Sequence, residues 1–313
     1  MKKIKTIFIV GPTASGKTDL SINLAKSVDG EIISADSMQV YKGIHIASAA
    51  PDTEEMQGIP HYMLEFLETN QQFSVADYVK EARKLIAEIS ARGKVPIVVG
   101  GTGLYISSLL DNTEYTEEKT DTKLRQKLEN EFDDLGTEEM LRRLSEFDAE
   151  SANRLHPNNR RRIIRAFEVY ELTGKTITEQ NLLSHKNESP IEPLVIGITY
   201  SDRELLYERI NKRVDIMLEK GLLDEAKITV EDADSKGCFQ AIGHKELYGY
   251  LKGECSLLDA AELLKQQTRR YAKRQLTWFR RDERINWFYP DVVEDIETKV
   301  KTLVKEFLKG EDR

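Results

Sequence analysis

The sequence predicts an α/β fold: a P-loop NTPase-like parallel sheet core flanked by helices, with an inserted helical domain. Three observations predict it. Residues 11–18 read GPTASGKT between a strand-like and a helix-like segment. Short runs rich in β-branched residues alternate with longer amphipathic stretches, the pattern of parallel strands joined by crossover helices. A charged, strand-poor stretch then interrupts that alternation between about residues 113 and 189.

Residues 4–10, IKTIFIV, are apolar, bounded by Gly11, and read as a buried strand. Leu20, Ile22, Leu24 and Ala25 follow in a helical pattern. Strand, glycine-rich loop and helix is the context that G-x-x-x-x-G-K-[ST] requires. Gly11, Pro12, Thr13, Ala14, Ser15, Gly16, Lys17 and Thr18 thus form a phosphate cradle. Its backbone N–H groups favour an anion, Lys17 adds a positive charge, and the Thr18 hydroxyl suits Mg²⁺. Residues 31–35 predict a second strand ending at Asp36, and residues 74–91 a helix capped by Ser74. KVPIVVGGTG, 94–103, predicts a strand entering a glycine-rich turn. After the insertion, PLVIGITY, 193–200, returns to strand. Residues 201–226 predict a long helix opened by an S-x-x-E capping box, Ser201 to Glu204, and broken at Gly221. The expected organisation is therefore a first part of the core at 1–112, a helical insertion at 113–189, and a second part with basic C-terminal helices at 190–313.

No window carries the roughly 18 apolar residues of a membrane span. The N-terminal MKKIKTIFIVGP runs into the phosphate loop, which argues for a strand rather than a signal peptide. Cys238 and Cys255 lack metal-ligand spacing and suit a reducing cytoplasm. Net charge is −8, yet base is concentrated in NRRRIIR, 159–165, and RRYAKRQLTWFRRDER, 269–284, so one surface can hold nucleic acid while the whole is acidic.

Ligands of parallel α/β sheets sit beyond the carboxyl ends of the strands, so GPTASGKT, ADSMQVY and GGTGLY should face one cleft. An NTPase normally adds an Asp at a second strand end to help hold Mg²⁺. Here PIVVG ends in Gly100, Gly101 and Thr102, with no acid. The first strand-end carboxylate is Asp36, which suits a general base, or simply a cap of the turn that follows. In the helix predicted around residue 165, Ile163, Ile164, Phe167 and Tyr170 share one arc, and Arg161, Arg162 and Arg165 the other. Leu257, Leu264, Tyr271 and Trp278 recur every seven residues as an apolar seam beside a stripe of Arg269, Arg270, Lys273, Arg274, Arg280 and Arg281. Such a stripe neutralises phosphates or pairs with acids of the insertion, and Tyr271, Trp278 and Phe279 either stack bases or pack in the core.

GPTASGKT, ISADSMQVYKG, PIVVGGTGLYI, HPNNRRRIIRAFEVYELTGK, LYERINKRVDIMLEKGLLDE, QAIGHKEL and TRRYAKRQLTWFRRD, in this order, resemble the tRNA dimethylallyltransferases (tRNA isopentenyltransferases) of bacteria. The resemblance implies transfer of a dimethylallyl group from its diphosphate to the exocyclic amine (N6) of adenosine 37, in tRNAs reading codons that begin with U. It implies a cytoplasmic monomer that uses Mg²⁺ through Thr18 and grips the anticodon arm of tRNA. Residue by residue, Lys17 and the loop would hold the diphosphate, with Arg161 and Arg165 near it or the RNA backbone. Asp36 would take the amine proton, with Thr102 as its partner. Ser37, Met38, Gln39, Asn159, Arg160, Arg161, Arg162, Ile163, Gln240, Gly243, His244, Lys245, Arg270, Arg274 and Arg281 would contact tRNA. The sequence departs from the family at ASAAP, 47–51, at His61-Tyr62, and at Phe239 and His244. The rival readings are a small-molecule enzyme, either a nucleotide kinase or a prenyltransferase of free adenylate, and a non-catalytic RNA-binding module.

Overall fold

Alternation within residues 4–10 sets the layering. Phe8 and Val10 join one buried cluster, Ile7 and Ile9 another, as the two-residue period of a strand covered on both faces requires. The structure is a computed structural model and describes residues 3–115, 121–184, 188–231 and 241–310. In chain order the elements begin with β1 (Ile4–Val10), α1 (Lys17–Val28), β2 (Gly30–Ser34) and the one-turn helices α2 (His45–Ser48) and α3 (Thr53–Met56). Next come β3 (His61–Tyr62), α4 (Val75–Ala91), β4 (Val95–Gly100) and α5 (Gly103–Leu110). Four helices follow: α6 (Thr122–Phe147), α7 (Ala149–Arg154), α8 (Arg160–Thr173) and α9 (Ile177–Ser184). The chain continues through β5 (Ile191–Ile198), α10 (Arg203–Glu219), α11 (Leu222–Glu231), α12 (His244–Leu251), α13 (Leu257–Phe279), β6 (Ile285–Phe288) and α14 (Ile296–Lys309).

Two compact units result, one of Met1–Leu110 with Pro190–Arg313, the other of Asp111–Ser189. In the first, six parallel strands run in the order β3-β2-β4-β1-β5-β6. β1 lies between β4 and β5, so crossovers leave it in both directions and a crevice opens at its carboxyl end. Tyr78, Val79, Ala82 and Ile86 of α4 and Tyr105, Ile106 and Leu109 of α5 cover the face carrying Phe8. Leu20, Ile22 and Leu24 of α1 with Val300 and Val304 of α14 cover the other. A smaller core joins α10 to α13 through Val214, Leu222, Ala226, Leu247, Ala260 and Leu264. In the second unit, Leu128, Phe132 and Met140 of α6 pack on Ile163 and Ile164 of α8. No helix among the described residues is long and apolar enough to cross a membrane.

The cap of α4 is Ser74, in a reciprocal box with Asp77. The S-x-x-E box expected at 201–204 is corrected: Asp202 caps α10, accepting from the Glu204 N–H, while the Ser201 hydroxyl donates to Asp291. The break at Gly221 is present, between α10 and α11. The seven-residue seam of α13 is also corrected. Leu257 and Trp278 are 38% and 36% exposed, whereas Ala260, Ala261, Leu264, Ala272, Gln275 and Phe279 are buried. A straight helix turns every 3.6 residues, so a strict heptad drifts off the buried face over three repeats. Phe279 is therefore core and takes no part in base stacking.

Phe279→Ala should cost about 3–5 kcal/mol of stability in urea unfolding, and Leu258→Ala on the exposed side of α13 no more than about 0.5 kcal/mol.

Candidate active site

Beyond Val10 the chain turns through residues 11–16 into α1, with Ala14 and Gly16 in the left-handed region (φ 62° and 92°). Glycine takes that conformation freely; alanine does not. Arg209 of α10 anchors the turn, its Nε donating to the Ala14 carbonyl at 3.0 Å. The Lys17 ammonium folds back to donate to the Pro12 carbonyl at 2.6 Å. The Ser15 hydroxyl is buried and, among the described residues, has no hydrogen-bond partner.

A cavity of about 310 Å³ opens beside this loop. Thr13, Lys17 and Thr18 line it from the loop, Asp36, Ser37, Met38 and Gln39 from beyond β2, and Gly100 and Gly101 from the end of β4. The three strand ends thus meet in one cleft, as their sequence order predicts. Helices α10 and α13 complete the wall with Arg213 and Met217, and with Thr268, Tyr271, Arg274 and Gln275. A second cavity of about 480 Å³ shares Lys17, Thr18 and Arg213 and adds Arg209, Lys212 and Lys220.

The electrostatics follow from burial. Asp36 Oδ1 accepts the Met38 N–H at 2.9 Å, yet burial dominates and pushes its carboxyl pKa up against the pull of that bond, Lys17 and Arg213. Burial, then the nearby Arg213, brings Lys17 down to about 7, with Asp36 opposing. Burial also lowers Arg213, again opposed by Asp36, although a guanidinium stays charged. Among the buried groups, the site therefore sets Lys17 and Arg213 against the Asp36 carboxyl, and Lys245 and Arg274 add basic side chains from exposed positions. The Tyr271 phenol is pushed up by burial first and by the Asp36 charge second.

Thr102 shapes the turn that carries Asp36. Its N–H donates to the Ala35 carbonyl at 3.1 Å, and its Oγ1 accepts the Ser37 N–H at 3.0 Å. The glycines around it admit α13. A Cβ on Gly101 would come within 2.1 Å of Gln275 Nε2, and one on Gly103 within 2.5 Å of the Trp278 ring. The GGTG turn is thus a close-packed joint rather than an ordinary loop.

Other expected site residues stand elsewhere or have other work. His244 is fully buried, its Nε2 3.0 Å from Glu225 Oε1, and Glu225 also accepts the Ile46 and Ala47 N–H groups. Gly243 is buried too. His244 is corrected from an RNA contact to a support of the segment around α2, and Gly243 takes the N-cap position of α12, its N–H donating to Glu246 at 2.8 Å. Ile163 is corrected likewise: it is wholly inside the core of the second unit. Gln39 lines the cavity, but its amide accepts from Ser34 and donates to the Ser48 and Ala49 carbonyls, tying down the ASAAP segment. Tyr62 donates to Glu31. On α8 of the second unit Arg161, Arg162 and Arg165 are exposed, Arg165 beside Glu168 at 3.5 Å. Asn159 precedes that helix, and Arg160 pairs with Asp133 over the Phe132 ring. Lys245 and Arg274 line the cavity from exposed positions, and Arg270 and Arg281 are exposed in the first unit. Gln240, Phe239 and Cys238 lie outside the described residues.

Arg213 and Gln275 were not foreseen as site residues. Arg213 lies one turn after Arg209 and beside the buried Leu206–Ile210–Val214 row of α10, a basic stripe adjoining an apolar one. Gln275 was visible as an uncharged polar residue between Ala272 and Phe279.

The profile of the family described as IPP transferase matches residues 39–282. A tRNA dimethylallyltransferase of Acetivibrio thermocellus is 49% identical over 299 residues, 95% of each chain. The crystal structure of a full-length tRNA isopentenylpyrophosphate transferase from Bacillus halodurans is 42% identical, covers 98% of this chain and 97% of its own, and superposes with a TM-score of 0.73. A eukaryotic dimethylallyltransferase, solved acting on tRNA, is 32% identical, covers 100% of this chain and 81% of its own, and superposes with a TM-score of 0.83. The chain belongs to the IPP transferase family.

Proposed function

We propose that this enzyme transfers a dimethylallyl group from dimethylallyl diphosphate to the N6 amine of adenosine 37, in tRNAs reading codons that begin with U. The observation that carries this reading is the placement of Asp36 with Lys17 and Arg213 around one cavity that opens onto the phosphate loop. Relatives named tRNA dimethylallyltransferase support it.

The chemistry follows from the groups present. The amine nitrogen attacks the first allylic carbon, an N–C bond forms, and the C–O bond to the diphosphate breaks with its electrons going to the departing oxygen. The loop amides, Lys17 and Arg213 meet the charge that develops on that oxygen. The amine proton passes to Asp36, a base whose burial makes it a better proton acceptor. Thr102 holds the Asp36–Ser37 turn in place for this transfer. Val214, Met217 and Leu264 line the cavity and exclude water from the allylic carbon. A base inside a stacked loop cannot reach such a cleft, so the adenosine must be extruded.

Mg²⁺ would neutralise part of the diphosphate charge. No cluster of three or more His, Cys, Asp or Glu side chains suits a metal among the described residues, so a site made only of protein carboxylates does not fit. A site made of the Thr18 hydroxyl and the substrate's own phosphate oxygens does, because Thr18 lines both cavities. The exposed Lys245, Arg270, Arg274 and Arg281 would grip the anticodon arm through its phosphates; on the inserted unit, considered by itself, Arg161 and Arg162 offer a basic helix face of the same chemistry.

The test is incubation with dimethylallyl diphosphate, Mg²⁺ and unmodified tRNA, followed by nucleoside mass analysis. Dimethylallyladenosine at position 37 is expected; turnover of ATP or prenylation of free AMP without it would overturn the reading. Asp36→Asn should lower kcat by about 10²–10⁴-fold. The base acts only when ionised and its pKa is raised, so kcat/KM should fall as pH drops through a midpoint above the ordinary Asp value of about 3.9. Replacing Arg270 and Arg281 by Ala should raise KM for tRNA and leave KM for the diphosphate unchanged, since neither lines the cavity. The slope of log affinity for tRNA against log salt should also become shallower, by roughly one for each phosphate that these side chains neutralise. A uniform loss for both substrates would refute that assignment.

A further inference from the structure

Gln275 occupies a position that chemistry at the cavity does not require. It is 5% exposed, on the buried arc of α13 otherwise made of Ala260, Ala261, Leu264, Ala272 and Phe279. Both ends of its amide are used. Oε1 accepts the Thr13 N–H at 2.9 Å, and Nε2 donates to the Gly101 carbonyl at 3.0 Å. Each bond identifies the amide orientation independently, and they agree. One side chain from the C-terminal helix thus joins the phosphate loop after β1 to the glycine turn after β4. A leucine or methionine would fill the same volume, but would leave the half-buried Thr13 N–H and the buried Gly101 carbonyl without this partner.

The same helix carries the basic stripe. Arg270 and Arg274 are exposed within five residues of Gln275, and Trp278 Nε1 fastens the next turn to Ser107 at 2.8 Å. Whatever orders α13 therefore orders the Thr13 N–H as well. We propose that Gln275 is a positioning residue that couples RNA engagement along α13 to the shape of the phosphate loop, so that bound RNA tightens the diphosphate site. This rests on the prenyl-transfer reading above. It adds that the two substrates bind synergistically and names the group that transmits the effect. By linkage the diphosphate must tighten RNA by the same factor.

The experiment is isothermal titration of the full chain with the unreactive thiolodiphosphate analogue of dimethylallyl diphosphate, with and without an unmodified anticodon stem-loop RNA. In the wild-type chain RNA should tighten the analogue about 10-fold, and the analogue should tighten RNA equally. In Gln275→Met the tightening should shrink to within about twofold while each ligand still binds alone. Full tightening in Gln275→Met overturns the proposal, and so does its absence from a wild-type chain that prenylates tRNA, which would leave the functional reading intact. If the tightening is present but no prenylated adenosine ever forms, the functional reading fails instead. Hydrogen exchange on the wild-type chain tests the link without any substitution. RNA alone should protect residues 11–18, and unchanged exchange there overturns the coupling.

Discussion

Two buried basic groups, Lys17 and Arg213, and one buried carboxyl, Asp36, share a single desolvated cavity. Lys17 and Arg213 are each pushed toward neutrality by burial, and Asp36 toward protonation, because charge is costly away from water. Asp36 offsets part of the cost for both cations, but a positive surplus remains. An isolated surplus of this kind is unstable, and an arriving diphosphate relieves it. The same imbalance leaves a carboxylate held by the backbone N–H of Met38 and ready to accept a proton. On the proposed function, binding of the leaving group and proton removal from the nucleophile are two consequences of one arrangement of charge.

The fold keeps that arrangement in place. Parallel strands bring three loop beginnings to the same edge, and the position of β1 between β4 and β5 opens the crevice there. Apolar layers on both faces fix the strands. Helix α13 then closes over the edge, with Gln275 bonded to two of the loops and Trp278 packed onto Gly103. The bond to Gly101 is buried and that to Thr13 half-buried, so α13 as well as the sheet holds these loops. On the far side of the cavity, Glu225 and Gln39 do the same for the segment around α2, each satisfying backbone groups that would otherwise be unpaired.

Much of this was legible in the sequence, for physical reasons. GPTASGKT carries its own geometry, and the β-branched runs before it and at 94–100 announce buried strands. Asp36 stood out because no acid closes the strand that ends in Gly100 and Gly101. Arg213 did not stand out, because in a helix rich in alternating charge a guanidinium bound for the interior looks like one bound for solvent. Gln275 was hidden in the same way, since its partners lie 262 and 174 residues away. His244 resembled a surface residue of a basic motif, and only the long-range bond to Glu225 shows it to be interior. The heptad through Leu257 and Trp278 was a true regularity of the sequence, but it marks no continuous buried face on an uncoiled helix.

The charge imbalance makes a prediction whose sign is unusual for an active-site change. Calorimetric titration of inorganic diphosphate into the wild-type chain, Asp36→Asn and Arg213→Met measures it directly. Removing the lone negative charge should tighten diphosphate binding several-fold while lowering kcat by about 10²–10⁴-fold, and removing Arg213 should weaken it. Weaker diphosphate binding by Asp36→Asn, with the fold intact, would contradict a site organised around surplus positive charge.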